Sequence, residues 1–208
     1  GTTLLSLRDR VLAGEVTVGA LPTSATDLET IAGVQIVADG RLTVSGPLVI
    51  GQAGRAGFGL FGGQLTTGET RLGVGGVGTF NTLSGGQWSS GGLLVGEAYP
   101  GYVNLGGGVS VQSTAVRIGG APFSPTFDPG ALESDAGAFS RVTLRGTGSD
   151  EDGNPTDGSS WSVSEELEVG SGHPGRLQIT DGGSAQVGGS VLVDNVATAA
   201  SAGSRVLV

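Results

Sequence analysis

The sequence predicts an all-β chain wound as a three-sided parallel β-solenoid, or β-helix, with about seven coils of 21–24 residues. A returning phrase is the first observation. Apolar, any, apolar, glycine occurs as Leu48-Val49-Ile50-Gly51, Leu72-Gly73-Val74-Gly75, Leu93-Leu94-Val95-Gly96, Val116-Arg117-Ile118-Gly119 and Leu167-Glu168-Val169-Gly170. An earlier copy is Val16-Thr17-Val18-Gly19 and a worn late one is Val191-Leu192-Val193-Asp194. Such a phrase is half a strand face followed by a turn, and a fixed period of this size marks stacked repeats. The text between the phrases is the second observation. Phe58 and Leu60, Phe80 and Leu83, Val103 and Leu105, and Leu177 and Ile179 each precede a glycine turn and a further apolar run. Three alternating runs per period describe a three-sided coil, which buries its inner face only when coils stack. The third observation is 42 glycines among 208 residues with no three-residue spacing, which supplies turns and excludes collagen.

The steps from Gly51 to Gly75, Gly96 and Gly119, and from Gly170 to Asp194, are nearly equal. The step from Gly119 to Gly170 is about twice as long. It resolves once Val142 and Leu144 are aligned with Val103 and Leu105, and Trp161 and Val163 with Trp88 or Val109-Val111. Two insertions, at two different corners, then account for the excess and leave an ordinary period. The predicted inward column is Ile50, Val74, Val95, Ile118, Val169 and Val193.

In chain order, residues 1–33 form a lead-in or cap with the first coil, and residues 34–208 form the solenoid. Residues 1–14 read as a strand over the first coil's open end or as one that pairs with another subunit. Ser24 to Ile31 could cap one helical turn. Val34-Ile36, Leu42-Val44 and Leu48-Ile50 resume the three-run rhythm, turning at Asp39-Gly40. Gly51 to Gly119 is the most regular part, with Phe58 and Phe80 expected in the core. Tyr99-Pro100-Gly101-Tyr102 marks a turn whose rings either pack or stack on a sugar. The insertions fall at about 120–140 and 145–160, and insertions become surface loops. The pattern then runs to Val208, still strand-like. Thr2, Leu4, Leu5, Leu7 and Arg205, Val206, Leu207, Val208 are the expected subunit interface, because open strand edges pair with other chains.

Charge narrows the function classes. The net charge is −9, all ten basic residues are arginine, and nothing clusters them along the sequence. Nucleic acid and anionic lipid are therefore unexpected partners, and no apolar run approaches the ~20 residues that span a bilayer. Cysteine and methionine are absent, which suits an exported chain read as a mature or excised segment. The stretch Asp150-Glu151-Asp152-Gly153-Asn154-Pro155-Thr156-Asp157 has alternating oxygen ligands. It is either a solvated acidic turn or a Ca²⁺ loop through Asp150, Asp152, Asn154 and Asp157. Glycine stands at its fourth position rather than the sixth, and no glutamate stands at its twelfth. His173, the only histidine, sits in a glycine-proline turn, so any Ser-His-Asp chemistry would rest on it alone. Glycosidic cleavage needs converging carboxylates, and between Gly51 and Gly119 only Glu69 and Glu97 are acidic. No catalytic residue is assigned.

The pattern LxVG…GxLxVxGGxV, carried by Leu72–Gly75, Leu93–Gly96, Leu167–Gly170 and the Gly-Gly turns that follow, resembles a known repeat family. Autotransporter passenger domains and PEP-CTERM-associated exported bacterial proteins share it, and the resemblance covers roughly residues 34–195. It implies a right-handed β-helix on the outside of a Gram-negative-type cell and carries over no catalytic residues. The chain shows neither a membrane-barrel translocator nor a sorting tail. The expected function is an extracellular structural subunit, secreted or at the cell surface, that stacks head-to-tail on copies of itself. A surface adhesin that binds glycans through its insertions is the alternative, and a polysaccharide lyase or hydrolase comes third.

Overall fold

The computed structural model describes residues 3–19, 32–120, 139–146, 158–193 and 204–208. The described residues hold eighteen β-strands and no helix. The first unit is β1 (Thr3–Leu7), β2 (Arg10–Ala13) and β3 (Val16–Val18). Four two-strand units follow: β4 (Ala32–Val37) with β5 (Arg41–Ile50), β6 (Ala56–Phe61) with β7 (Gln64–Leu72), β8 (Gly78–Thr82) with β9 (Gln87–Val95), and β10 (Gly101–Leu105) with β11 (Ser110–Ile118). Two three-strand units come next: β12 (Ser140–Arg145), β13 (Ser160–Val163) and β14 (Leu167–Val169), then β15 (Gly175–Thr180), β16 (Ser184–Val187) and β17 (Val191–Val193). Strand β18 (Arg205–Leu207) is the last.

These strands form two sheets, and the chain crosses from one to the other within every unit. One sheet has the order β1-β4-β6-β8-β10-β12-β15-β18, the other β2-β5-β7-β9-β11-β13-β16, with β3 beside β5 and β14 between β11 and β17. All pairings are parallel, each strand lying against its counterpart one unit along. Alternation inside the strands explains the packing. In β9 the inward residues Trp88, Ser90, Leu93 and Val95 are buried while Gln87, Ser89 and Gly91 are exposed. Each buried Leu, Ile, Val or Phe contributes about 1.5–3 kcal/mol of apolar transfer. A lone unit has nothing to bury them against.

Register identifies the inward columns. Val18, Ile50, Leu72, Val95, Ile118, Val169 and Val193 lie opposite one another in turn. Ile50, Val95, Ile118, Val169 and Val193 share this column as expected, Val18 extends it, and Leu72 takes the place expected for Val74. The glycine that turns this unit is Gly73, at φ +76°, and a Cβ there would come within 2.1 Å of the Tyr99 carbonyl oxygen. The true phrase is therefore Thr70-Arg71-Leu72-Gly73, and the steps from Gly51 through Gly73 and Gly96 to Gly119 become more even than the sequence reading had them. A buried threonine in the first apolar slot disguised it. Thr70 is satisfied by the Thr67 hydroxyl at 2.9 Å and the Ser90 hydroxyl at 3.3 Å. Leu83 is a second correction. Thr82 takes the inward place beside Leu60 and bonds both the amide and the carbonyl of Gly106, while Leu83 is 72% exposed.

The three apolar runs of a unit map to one short strand and one long strand whose inward alternation slips by one place in its middle. At that slip in β9 a Cβ on Gly91 would meet the Gly68 carbonyl oxygen at 2.3 Å, so glycine lets adjacent units approach. Val142 and Leu144 face Val103 and Leu105, and Trp161 faces Val111, as the sequence alignment expected. Phe58 and Phe80 are buried and stacked at 5.3 Å, and Phe80 stacks on Trp88 at 4.2 Å. The strands also take Ser140, Arg145 and Ser160, which the expected insertion ranges had included. The possible helical turn at 24–31 lies outside the described residues.

Candidate functional site

Of the residues expected at a subunit interface, Thr2 lies outside the described set. The rest occupy the two opposite ends of the eight-stranded sheet, because β1 and β18 are its outermost strands. Leu4 and Leu5 are 56% and 55% exposed, Val206 and Leu207 are exposed, and Val208 is wholly so. Leu7 alone packs against the core. On the second sheet Leu12, Val191 and Val193 are exposed in the same way. Each end thus presents apolar side chains on strands with one edge unpaired among the described residues.

The outer face of the eight-stranded sheet carries a feature that the sequence reading missed. Strand register places Tyr102, Arg141, Arg176 and Arg205 in one line on four successive strands. The inward neighbours Val142 and Leu177 are buried, so these side chains point away from the core. Arg145 extends from the same strand as Arg141. Among the described residues no carboxylate lies within ion-pair distance of Arg141, Arg145, Arg176 or Arg205. The Nε atoms of Arg141 and Arg176 are buried and without a hydrogen-bond partner among the described residues. The Phe139 ring lies 3.7 Å from the Arg176 guanidinium carbon and holds that plane in place. Burial raises the Tyr102 phenol above its ordinary pKa, and Arg141 and Arg55 pull it back down. Like charges opposite one another on neighbouring strands oppose pairing, and two unit charges about 4.8 Å apart repel by roughly 1 kcal/mol even in bulk water. Beside the arginines runs a neutral column containing Asn81, Asn104 and Gln178, with an Asn104 to Asn81 side-chain hydrogen bond of 2.7 Å.

The sequence signal for this line was present. Ser140-Arg141-Val142-Thr143-Leu144, Gly175-Arg176-Leu177-Gln178-Ile179 and Ser204-Arg205-Val206-Leu207-Val208 are one phrase written three times. Its first position forms a column of small residues that also includes Gly78 and Gly101.

On the other sheet Arg10 and Arg41 also face each other, but Arg71 and Arg117 are arranged differently. Arg71 Nε donates to Glu97 Oε2 at 2.9 Å and its Nη2 donates to Oε1, a two-point pair that raises the Arg71 pKa further. Arg117 Nε donates to Glu168 Oε2 at 2.6 Å. Along the corner between the sheets runs an open groove of about 460 Å³, lined by Asp39, Arg41, Gln64, Gln87 and Ser110.

His173 turns inward from its loop, and its Nε2 lies 2.8 Å from Ser140 Oγ, which also accepts the Gly101 amide at 3.2 Å. A hydroxyl beside an imidazole is the first half of a nucleophile–base arrangement. Here the two residues are 0% and 1% exposed, so the pair ties three corners together where no substrate reaches. The missing side chain of Gly96 makes room for it, since a Cβ there would meet Ser140 Oγ at 1.8 Å.

Asp150, Asp152, Asn154 and Asp157, the possible Ca²⁺ ligands, lie outside the described residues, as does most of both insertions. Among the described residues no three His, Cys, Asp or Glu side chains converge as metal ligands, and no helix is long and apolar enough to cross a membrane. The chain matches no protein-family model, no curated protein and no solved structure.

Proposed function

We propose that the chain is an extracellular structural protein, a right-handed three-sided β-solenoid whose copies stack head-to-tail into a filament or surface layer. The observation that carries this reading is the pair of exposed apolar ends on columns that otherwise run in unbroken register. Continuing the columns of the eight-stranded sheet across a joint sets Val206 on Leu5 and Val208 on Leu7 of the next copy. Such a contact repeats without closing, and repetition without closure makes an open fibre. The placement outside the cell rests on the repeat phrase and its resemblance to exported repeat proteins, together with the absence of cysteine.

Negative-stain microscopy of the purified chain tests the proposal. The expected result is filaments with an axial repeat of about 38 Å, from the eight stacked strands of that sheet at ~4.8 Å each. A Leu5→Lys, Val206→Lys variant should give short particles, because each joint would bury two unpaired charges. Compact monomers of the parent chain at high concentration would overturn it. A surface-displayed binding module is the second reading, favoured by the line of arginines that has no counter-charge among the described residues. Arg141→Gln with Arg176→Gln separates the two, since a filament survives that change and adhesion through the line does not.

A further inference from the structure

We propose that the outer face of the eight-stranded sheet is a binding site for an acidic polysaccharide, laid along the line of Tyr102, Arg141, Arg176 and Arg205. This site does not rest on the self-assembly reading or on the insertions, although its last member, Arg205, lies on the end strand β18.

Three features select the ligand. The guanidinium groups stand in single file, one per strand, and each offers the fork that takes a carboxylate in two hydrogen bonds. A polymer with an acidic group on successive residues meets them one after another, because an extended pyranose chain advances by a length comparable with one strand spacing. The neighbouring column offers neutral amides, among them Asn104 and Gln178, which suit the hydroxyls of a sugar and have no counterpart on a bare polyacid. Tyr102 heads the line with a half-buried ring of the kind that packs on a pyranose.

The rest of the molecule restricts the ligand to a thin chain. With a net charge of −9, a duplex or an anionic bilayer lying broadly on this protein would be repelled outside the line. The arginines are also held in position before any ligand arrives. Phe139 lies on Arg176, and the Nε atoms of Arg141 and Arg176 are covered by their surroundings. Little side-chain freedom is left to lose on binding.

The test is biolayer interferometry of the full chain against polygalacturonate, with dextran, poly-L-glutamate and oligothymidylate as comparison probes, at low and high salt. Saturable binding of polygalacturonate that weakens with salt is expected, with no binding of dextran. Arg141→Gln with Arg176→Gln should weaken it at least tenfold, and Arg205→Gln alone about threefold. Arg10→Gln with Arg41→Gln removes two arginines that face each other on the other sheet, and should change binding less than twofold. The proposal is overturned if polygalacturonate fails to bind at low salt or if the two double variants lose affinity equally. It is also overturned if poly-L-glutamate or oligothymidylate binds more tightly than polygalacturonate. Dextran sulfate in parallel separates a general demand for anionic sugars from a demand for carboxylates, and sulfate binding tenfold tighter would move the ligand class to sulfated chains.

Discussion

Arg71 and Arg117 on the ten-stranded sheet each end on a glutamate, whereas Arg141, Arg176 and Arg205 on the eight-stranded sheet stand opposite one another. Both sets occupy the outward slots of parallel strands, and all but Arg205 are followed by a buried apolar residue. The first set is closed electrostatically. Glu97 meets Arg71 from the corner after β9, and Glu168 lies directly opposite Arg117 on β14. The second set adds positive charge on each successive strand and leaves it unneutralised among the described residues. The same kind of fold position is therefore neutralised at Arg71 and Arg117 and left charged, among the described residues, at Arg141, Arg176 and Arg205.

Removing a cation from each set should act in opposite directions. The largest effect is expected from Arg117→Ala, because Glu168 is only 7% exposed and would lose its cation. Leaving a nearly buried carboxylate without that bond costs about 2 kcal/mol, read as a lowered urea midpoint. Arg141→Gln should instead raise the midpoint by about 0.5 kcal/mol, since it removes a like charge facing Arg176. A loss of stability in that variant would show that the line is held by its own packing, and the contrast between the sheets would fail.

The smallest effect is one of pH. Burial favours the neutral Tyr102 phenol in the folded state, so its folded pKa lies above the ordinary value of 10.0. The stability it contributes is complete below that ordinary value and fades as pH rises through the shifted one. Tyr102→Phe should flatten the alkaline limb of a stability–pH curve. In the Arg141→Gln protein the phenol should titrate higher still, followed by ultraviolet difference absorbance, because a neighbouring cation that favours phenolate is gone.

Much of the strand pattern was legible because apolar-x-apolar-glycine is a direct imprint of inward alternation and a left-handed turn. Gly19, Gly51, Gly73, Gly96, Gly119 and Gly170 all have φ between +74° and +86°. Legibility failed where a hydroxyl took an apolar slot. Thr70 is buried on the strength of two other hydroxyls, which no period reveals, so the phrase slid from Leu72 to Val74. Thr82 hid the inward position in the same way and promoted Leu83. The arginine line was harder to see, because Arg141, Arg176 and Arg205 are unequally spaced and neither separation is the period. Only alignment of the apolar pairs that follow them brings them together. His173 reads as a turn residue in every local sense, and its contact with Ser140 is set by a neighbouring unit.

The two tryptophans occupy the same inward column, Trp88 and Trp161 facing Val111 from opposite sides. Trp161 Nε1 donates to Ser113 Oγ at 3.1 Å, whereas Trp88 Nε1 finds no acceptor among the described residues and its ring lies on Phe80. Hydrogen bonding to an indole shifts its emission toward the red, so the chain carries two fluorophores of different colour. One reports on the regular units and the other on the unit interrupted by the insertions. Loosening of either region becomes separately visible without any added label.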